Sequence, residues 1–264
     1  MRIHLTRKKP ESWSERKARV SAWWAKPFWW MEYRMEWCAY LLSNWTFLEV
    51  LEYLSSFGVL IAVVFYFAES GDRLKQKHYQ AWQVVNTAQG KGGNGGRIDA
   101  LQELNADGVP LVGVDLSMAF LQGIRLKKVN LLRANLAEAD LRNAEMPGAN
   151  LENASLRSAN FRDAKMRGAS LRGSGLEGAD FTGADLRDAD LTEVKLTKAD
   201  LVGADLTGAS LEGADLVKAD LEGVKWGKLR SVKGMNVYRV KRAPAGFVEW
   251  ALGHGAVEME VKEE

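Results

Sequence analysis

Large apolar residues recur at every fifth position over nearly half of the chain. The series begins at Leu111 and runs to Trp226, and its 24 positions hold nineteen Leu, two Met, two Phe and one Trp. A small or β-branched residue stands two positions before each of them, and seventeen of these residues are Ala. A period of five fits neither an α-helix nor a strand, whose side-chain periods are about 3.6 and 2. The pattern therefore predicts a solenoid of short stacked units.

The residues around each apolar position predict the shape of this solenoid. Asp, Asn or Ser directly precedes the apolar residue in sixteen of the 24 units, and Gly follows two positions later in eleven, where a corner needs positive φ. If the chain turns at every unit, four units close a square coil of about twenty residues, and stacked coils pair as parallel strands about 4.8 Å apart. The 24 units would then form about six coils.

The segments ANLAEADL, GADFTGADLRDADL and GADLTGASLEGADL carry a family resemblance. They resemble the pentapeptide-repeat family, with the consensus A(D/N)LxX, over residues 109 to about 228. The resemblance implies a mainly β fold, a right-handed quadrilateral parallel β-helix. The first coil is looser, with Phe120 and Arg125 where Asp or Asn is usual, and a helix covering that coil would explain the difference.

Residues 45–68, with the sequence WTFLEVLEYLSSFGVLIAVVFYFA, form the longest apolar stretch of the chain. A helix of this length, at about 1.5 Å per residue, would cross a hydrocarbon core of about 30 Å. We therefore expect a transmembrane helix that places the chain in the cell (inner) membrane as a single-pass protein. Its uncharged part, residues 53–68, covers only 16 residues, so a full span must include Glu52. Nearby Lys and Arg residues are almost balanced on the two sides, which leaves the orientation open.

Three polar residues of the predicted span share one helical face, because Glu49, Glu52 and Ser56 are spaced i, i+3 and i+7. Carboxylates inside a membrane are costly and rare. We interpret this face as a helix–helix contact. Snorkelling of both glutamates to water and an ion path are the alternatives.

The segment before the predicted span is rich in aromatic residues. Six tryptophans are candidates for contact with membrane lipid, because indole rings favour the headgroup region. They are Trp23, Trp24, Trp29, Trp30, Trp37 and Trp45. The alternative is a packed aromatic cluster that belongs to an oligomer contact.

Short helices are predicted on both sides of the repeat. Tyr79, Trp82 and Val85 have helical spacing, the glycine-rich residues 90–96 predict a flexible linker, and residues 97–105 predict a helix that caps the first coil. After Lys228 the five-residue pattern stops, and a second helix would place Phe247, Trp250 and Leu252 over the open end or in a dimer contact. The predicted organisation is an interface segment (1–44), a transmembrane helix (45–68), an amphipathic helix with linker (69–96), a capping helix (97–108), the repeat (109–228) and a C-terminal cap and tail (229–264).

Charge is distributed unevenly along the repeat. Residues 125–171 hold nine Lys or Arg against five Asp or Glu, whereas residues 172–224 hold five against twelve. The basic part begins with Arg125, Lys127, Lys128 and Arg133, which we call the basic collar. The collar would face anionic lipid or a partner, and ordinary solvation of the column is the alternative.

The sequence carries no arrangement of catalytic or metal-ligating residues. The three histidines lie outside the repeat without ligand spacing, and Cys38 is the single cysteine. We therefore expect no enzymatic activity, no metal and no cofactor, and the net charge of +2 argues against nucleic acid as a partner.

The function favoured by these features is a membrane-anchored scaffold. It would present a rigid column to protein partners and form a homo-oligomer through its N-terminal 97 residues. One alternative comes from the quinolone-resistance branch of the family, for which the resemblance implies acidic columns that imitate DNA and bind gyrase. The other alternative, an accessory subunit of a channel or transporter, rests on Glu49 and Glu52.

Overall fold

A computed structural model of the chain describes residues 8–19, 26–43, 46–68, 70–87 and 96–260. The chain divides into two compact units, Met1–Leu74 and Lys75–Glu264. The described part of the first unit is largely helical, and the second unit contains the repeat.

Three helices lie within the first unit. They are α1 (Trp13–Arg19), α2 (Lys26–Ser43) and α3 (Thr46–Ala68). The first two pack together, since the Arg16 guanidinium donates to the Glu36 carboxylate at 2.7 Å and the rings of Trp13 and Tyr33 lie 5.4 Å apart. A fourth helix, α4 (Ser70–Thr87), begins at the end of this unit and continues into the second.

The prediction of a single-pass membrane protein is wrong. A search of the described residues finds no helix with the length and apolar character needed to cross a membrane. The predicted span is helical as α3, but Glu49 and Glu52 lie in its first two turns. The uncharged remainder, residues 53–68, rises only about 24 Å, against a hydrocarbon core of about 30 Å.

Each five-residue unit of the repeat is a tight turn followed by a short extended segment. In the first unit the N–H of Val114 donates to the carbonyl of Leu111 at 3.3 Å, and Gly113, the third residue of the turn, has φ 66°. A 4→1 hydrogen bond with positive φ at the third residue is characteristic of a type II turn. The corner recurs at every fifth residue through Lys228, which has φ 57°.

Successive coils pair through parallel bridges. Asp115 pairs with Asn135, twenty residues further along, and this spacing is kept from coil to coil through Lys225. The N–H of Leu116 donates to the carbonyl of Asn135 at 2.7 Å, so four units complete one coil. The expected strands are nevertheless reduced to isolated bridges in the described residues, because the turn occupies most of each unit and leaves one paired residue per side.

The interior of the column is filled by the residues that the pattern predicts. The apolar positions from Leu111 to Leu221 are at most 1% exposed, and each contributes on the order of 2 kcal/mol by burial. The rings of Phe161 and Phe181 stack at 4.8 Å with an angle of 2°. Alanines fill most of the positions two residues before the large side chains, and Ile124 and Val129 are also buried at this position.

The repeat does not stop at Lys228, contrary to the sequence interpretation. The N–H of Arg230 donates to the carbonyl of Ala209 at 2.8 Å, while the N–H of Leu211 donates to the carbonyl of Ser231 at 2.8 Å. Two residues, Arg230 and Ser231, therefore lie opposite the single residue Ser210, and this arrangement is a β-bulge.

Beyond the bulge the pairing resumes with a shift of one residue. Asn236 pairs with Asp215, and Lys241 pairs with Asp220, in both cases at a separation of twenty-one residues. Val257 then pairs with Asn236 and adds one more bridged residue. The single extra residue explains why the five-residue pattern is lost in the sequence although the coil continues.

Helices lie next to the first and last coils. Leu101 and Leu104 of α5 (Arg97–Ala106) are fully buried, as is Val85 of α4. At the other end Phe247 of α6 (Phe247–Gly253) is 1% exposed. Both α5 and α6 bury apolar residues in the hydrophobic core of the repeat.

Candidate interaction surfaces

The basic collar is exposed, and hydrogen bonds on both edges hold its backbone. Gln102 of α5 accepts the N–H of Arg125 at 3.0 Å, and the side-chain amide of Asn105 donates to the carbonyl of Lys127 at 3.3 Å. On the opposite edge the N–H of Lys128 donates to the carbonyl of Pro147 at 3.0 Å. The four collar residues are all exposed at their side chains. Their charges are therefore held on a fixed backbone.

Two aspartates of the acidic half bind an arginine through both carboxylate oxygens. Arg187 donates to both carboxylate oxygens of Asp185, at 2.8 and 2.6 Å, and this contact holds the pKa of Asp185 below its ordinary range. Arg242 bonds to Asp220 in the same manner and lowers the pKa of Asp220. The acidic charge available to a partner is consequently smaller than the sequence count indicates.

The polar face predicted within the N-terminal unit belongs to α3. Glu49, Glu52 and Ser56 belong to α3, but their side chains lie outside the part that the structure describes. The following part of α3 exposes large apolar residues on all sides. They are Phe57, Val59, Leu60, Ile61, Val63, Val64, Phe65, Tyr66 and Phe67, with exposed fractions of 43–68%.

The six candidate tryptophans divide into three groups. Trp23, Trp24 and Trp45 lie outside the described residues. Trp29 and Trp30 are 43% and 49% exposed. The ring of Trp37 instead packs between two tyrosines of the same helix, with centroid distances of 6.4 Å to Tyr33 and 5.8 Å to Tyr40. This packing favours the aromatic cluster for Trp37.

Two of the three residues assigned to the C-terminal cap come together. The ring of Trp226 lies 5.4 Å from Phe247 and 5.0 Å from Trp250, which closes the end of the column with aromatic side chains. Leu252, the third of these residues, is 40% exposed. His254 stacks on Trp250 at 4.4 Å.

Sequence reasoning missed a polar cluster that fastens α4 to α5. Lys77 lies 2.8 Å from Glu103 and 3.1 Å from Asp107, and His78 Nε2 lies 3.0 Å from the same aspartate. These contacts lower the pKa of Asp107, chiefly through the hydrogen bond with His78. The lysine–histidine pair carries no periodic signal, so only the packing of the two helices could reveal it.

No group of three or more His, Cys, Asp or Glu in the described part of the chain could hold a metal ion. Cys38 is exposed on α2. The geometry instead provides a rigid exterior of regularly spaced side chains, which suits recognition of another macromolecule.

Comparison with known proteins identifies relatives of the repeat. The sequence profile described as Pentapeptide repeats matches eight copies within residues 111–146, 134–173 and 189–225. A search of curated protein sequences gave no match.

Three solved structures illustrate the similarity. The pentapeptide repeat protein alr5209 from Nostoc PCC 7120 is 30% identical over 45% of this chain and 84% of its own, with a TM-score of 0.32. HetL from the cyanobacterium Nostoc sp. strain PCC 7120, a pentapeptide repeat protein involved in heterocyst differentiation regulation, is 29% identical over 47% and 72%, with a TM-score of 0.23. QnrB1, a plasmid-mediated fluoroquinolone resistance protein, is 19% identical over 52% and 76%, with a TM-score of 0.31.

Proposed function

The chain belongs to the pentapeptide-repeat family, and from this premise we propose that it is a non-enzymatic scaffold whose rigid column binds protein partners. Members of this family have a right-handed β-helix, and the proposed column comprises about six coils before the bulge. The supporting observation is the contrast between the packed interior of the column and its outward-facing positions. The interior accepts only a narrow set of apolar residues, whereas the outward positions carry Arg, Lys, Asp, Glu, Thr and Val without a fixed order.

A rigid column favours binding for an energetic reason. Main-chain hydrogen bonds join each coil to the next, for example from Leu136 to Ser155 at 2.7 Å and from Leu156 to Gly175 at 2.8 Å. Side chains on neighbouring coils are therefore held about 4.8 Å apart before a partner arrives. Pre-organisation of this kind reduces the entropy lost on association.

The scaffold proposal is tested by capturing the full chain from its native cells under mild conditions, with chemical crosslinking and native mass measurement. We expect a discrete complex with another protein whose crosslinks fall on lysines of the repeat, such as Lys127 and Lys165. A homo-oligomer with no second protein bound would overturn the scaffold proposal.

We further propose that copies of the chain associate through α3. A helix that is apolar on every side is stable in water only when other surfaces cover it. The exposed apolar residues of α3, from Phe57 to Phe67, meet this description. A second copy of α3 offers the same apolar surface in return. We propose no lipid contact, because the membrane span on which it depended is wrong.

Sedimentation equilibrium of the full chain tests this self-association. Substituting Leu60→Glu together with Val64→Glu places two charges on one side of α3 and should shift the protein from oligomer to monomer. The matched control is Val112→Glu with Met118→Glu, two residues that are 48% and 57% exposed on the first coil of the column. The control should retain the wild-type mass. A monomeric wild-type protein would contradict the proposal.

Imitation of DNA is the less favoured function. Residues 106–230 hold nineteen acidic and seventeen basic side chains. In addition, arginines lie within 4 Å of Asp180, Asp185 and Asp220, at positions where a DNA mimic needs unneutralised charge. Recovery of gyrase in the capture experiment would reverse this order.

A further inference from the structure

The cations of the basic half divide into two classes by their ion pairing. Nine Lys or Arg residues lie between residues 125 and 171. Five of them are within 4 Å of a carboxylate, namely Arg142, Arg157, Arg162, Lys165 and Arg167. The other four are the basic collar, and none of them forms an ion pair within the described residues. The excess positive charge of this half is thus concentrated on the first two coils.

The acidic residue nearest to the collar in the stack is already engaged. Glu145 lies one coil beyond Arg125 and pairs with it as a bridge partner. Its carboxylate accepts a hydrogen bond from Lys165, one coil further on, at 2.7 Å. Arg125 has no carboxylate within 4 Å in the described structure, although its positive charge also helps to lower the pKa of Glu145, after the larger effect of Lys165.

A neutral polar face lies between the two corners that carry the collar. Lys127 and Lys128 occupy one corner, Arg133 the next, and Asn130 stands between them, paired with Asn150 of the following coil. The side-chain oxygen of Asn130 accepts the N–H of Leu132 at 3.2 Å. This hydrogen bond leaves the NH₂ group of Asn130 as a donor.

The corner glycine of the next coil positions Lys128. A Cβ atom at Gly148 would lie 3.4 Å from Cγ of Lys128, so the lysine stem lies directly over this glycine. The stem of Lys128 therefore runs along the column toward the next coil. The collar combines cations and amide donors on one surface.

We propose that this surface, the basic collar with Asn130 and Asn150, docks an acidic polypeptide segment of a partner protein. The inference rests on the proposed scaffold function and names the chemistry of one partner. Lysine and arginine form charge-assisted hydrogen bonds with carboxylates, and the amide NH₂ groups supply further donors. The segment lies along the first two coils, where these groups are found.

The extent of the surface favours a peptide over a nucleic acid. Glu152 stands at the corner one coil beyond Arg133 and bounds the positive region. Further along, residues 172–224 carry twelve acidic against five basic side chains. A long polyanion such as a nucleic acid would run onto these coils and be repelled, whereas a short acidic segment ends before them.

The test measures binding of a short fluorescein-labelled polyglutamate peptide to the full chain by fluorescence anisotropy. The collar variant carries Arg125→Gln, Lys127→Gln, Lys128→Gln and Arg133→Gln. The control variant carries Arg157→Gln, Arg162→Gln, Arg167→Gln and Arg172→Gln, which removes the same charge from residues that are ion-paired. We expect the collar variant to bind the peptide at least about tenfold more weakly than wild type. The control variant should bind within about twofold of wild type.

Several results would overturn the proposal. Equal weakening in both variants would show that net charge alone attracts the peptide. Tighter binding of a single-stranded oligonucleotide of equal charge would assign the surface to nucleic acid. Thermal unfolding checks the fold, because removing unpaired like charges should leave the collar variant as stable as wild type. Failure of peptide binding leaves the scaffold proposal standing if the capture experiment still finds a partner on another face.

Discussion

At the scale of single residues, the corners of the column impose an unusual backbone on ordinary side chains. Thirteen of the 24 corner residues from Gly113 to Lys228 are not glycine, and they adopt φ of 53–62°. A side chain in this region costs about 1–2 kcal/mol relative to glycine. The turn hydrogen bond and the ladder to the next coil offset this cost, because every corner N–H from Gly113 to Lys218 finds an acceptor one coil away.

Corner residues also interact along the stack. Asp163 occupies a corner, and Gly183 occupies the same corner one coil later. A Cβ atom at Gly183 would lie 2.5 Å from Oδ1 of Asp163, whereas a Cβ atom at Gly203, with the same backbone, would meet nothing within 4 Å. The two glycines therefore differ only in their surroundings.

We predict that Gly183→Ala destabilises the protein more than Gly203→Ala. Both substitutions should cost about 1–2 kcal/mol through positive φ. Gly183→Ala should cost a further ~1 kcal/mol, because Asp163 must move. Urea unfolding measures the difference, and a cycle with Asp163→Ala should remove it. Equal effects of the two glycine substitutions would show that the aspartate moves freely.

At the scale of elements, α5 acts as a cap through polar side chains as well as apolar ones. The first coil has no coil before it, so its edge would expose unpaired main-chain groups. Gln102 and Asn105 satisfy two of these groups, the N–H of Arg125 and the carbonyl of Lys127. At the bulge the guanidinium of Arg230 reaches back two coils and donates to the carbonyls of Asp188 and Ala189.

We predict that Gln102→Ala accelerates hydrogen exchange at the amide of Arg125. The substitution removes the acceptor at 3.0 Å and exposes this N–H to water. The amide of Leu126, which donates to Glu145 at 2.9 Å, should keep its protection. Asp99→Ala on the same helix is the control. Unchanged exchange at Arg125 after Gln102→Ala would show that the helix backbone alone protects the edge.

At the scale of the whole molecule, arginines form hydrogen-bonded ion pairs with aspartates along the length of the column. Asp140, Asp185 and Asp220 each bind an arginine, and in each case the hydrogen bond to that arginine is the main reason why the pKa lies below its ordinary value of 3.8. A carboxyl group whose pKa is lower in the folded state than in the unfolded state stabilises the fold at pH values above its unfolded-state pKa. This contribution is lost as the pH falls through the folded value.

We predict that the column loses stability as the pH falls below about 4. The combined substitutions Asp140→Asn, Asp185→Asn and Asp220→Asn should make this loss of stability at acid pH smaller. The control is Asp190→Asn, Asp200→Asn and Asp205→Asn, three aspartates of the same repeat position that accept main-chain N–H groups. Thermal unfolding of both triple variants is measured between about pH 2 and 7, the range in which carboxyl groups titrate. If the first triple variant loses as much stability at acid pH as the wild type, other carboxylates cause the loss.

The five-residue period by itself determined the interior of this protein. It predicted the buried apolar positions and the glycine corners, because every unit repeats the same local turn and the same steric requirement. The helix over Arg97–Ala106 was also readable from its own spacing. The transmembrane prediction at α3 was wrong, because it accepted Glu52 within the span although the uncharged part of 16 residues is too short to cross a hydrocarbon core of about 30 Å.

Only the tertiary structure decided which charges are free and where the column ends. Ion pairs such as Lys165 with Glu145 join residues twenty positions apart. Among the nine cations of residues 125–171, the four collar residues are distinguished by the absence of such a pair within the described structure. The last coil is not visible in the sequence pattern, because the bulge at Arg230 adds one residue and shifts the five-residue period while the hydrogen-bond ladder continues. Contacts between coils depend on this register in space, which a single linear pattern does not contain.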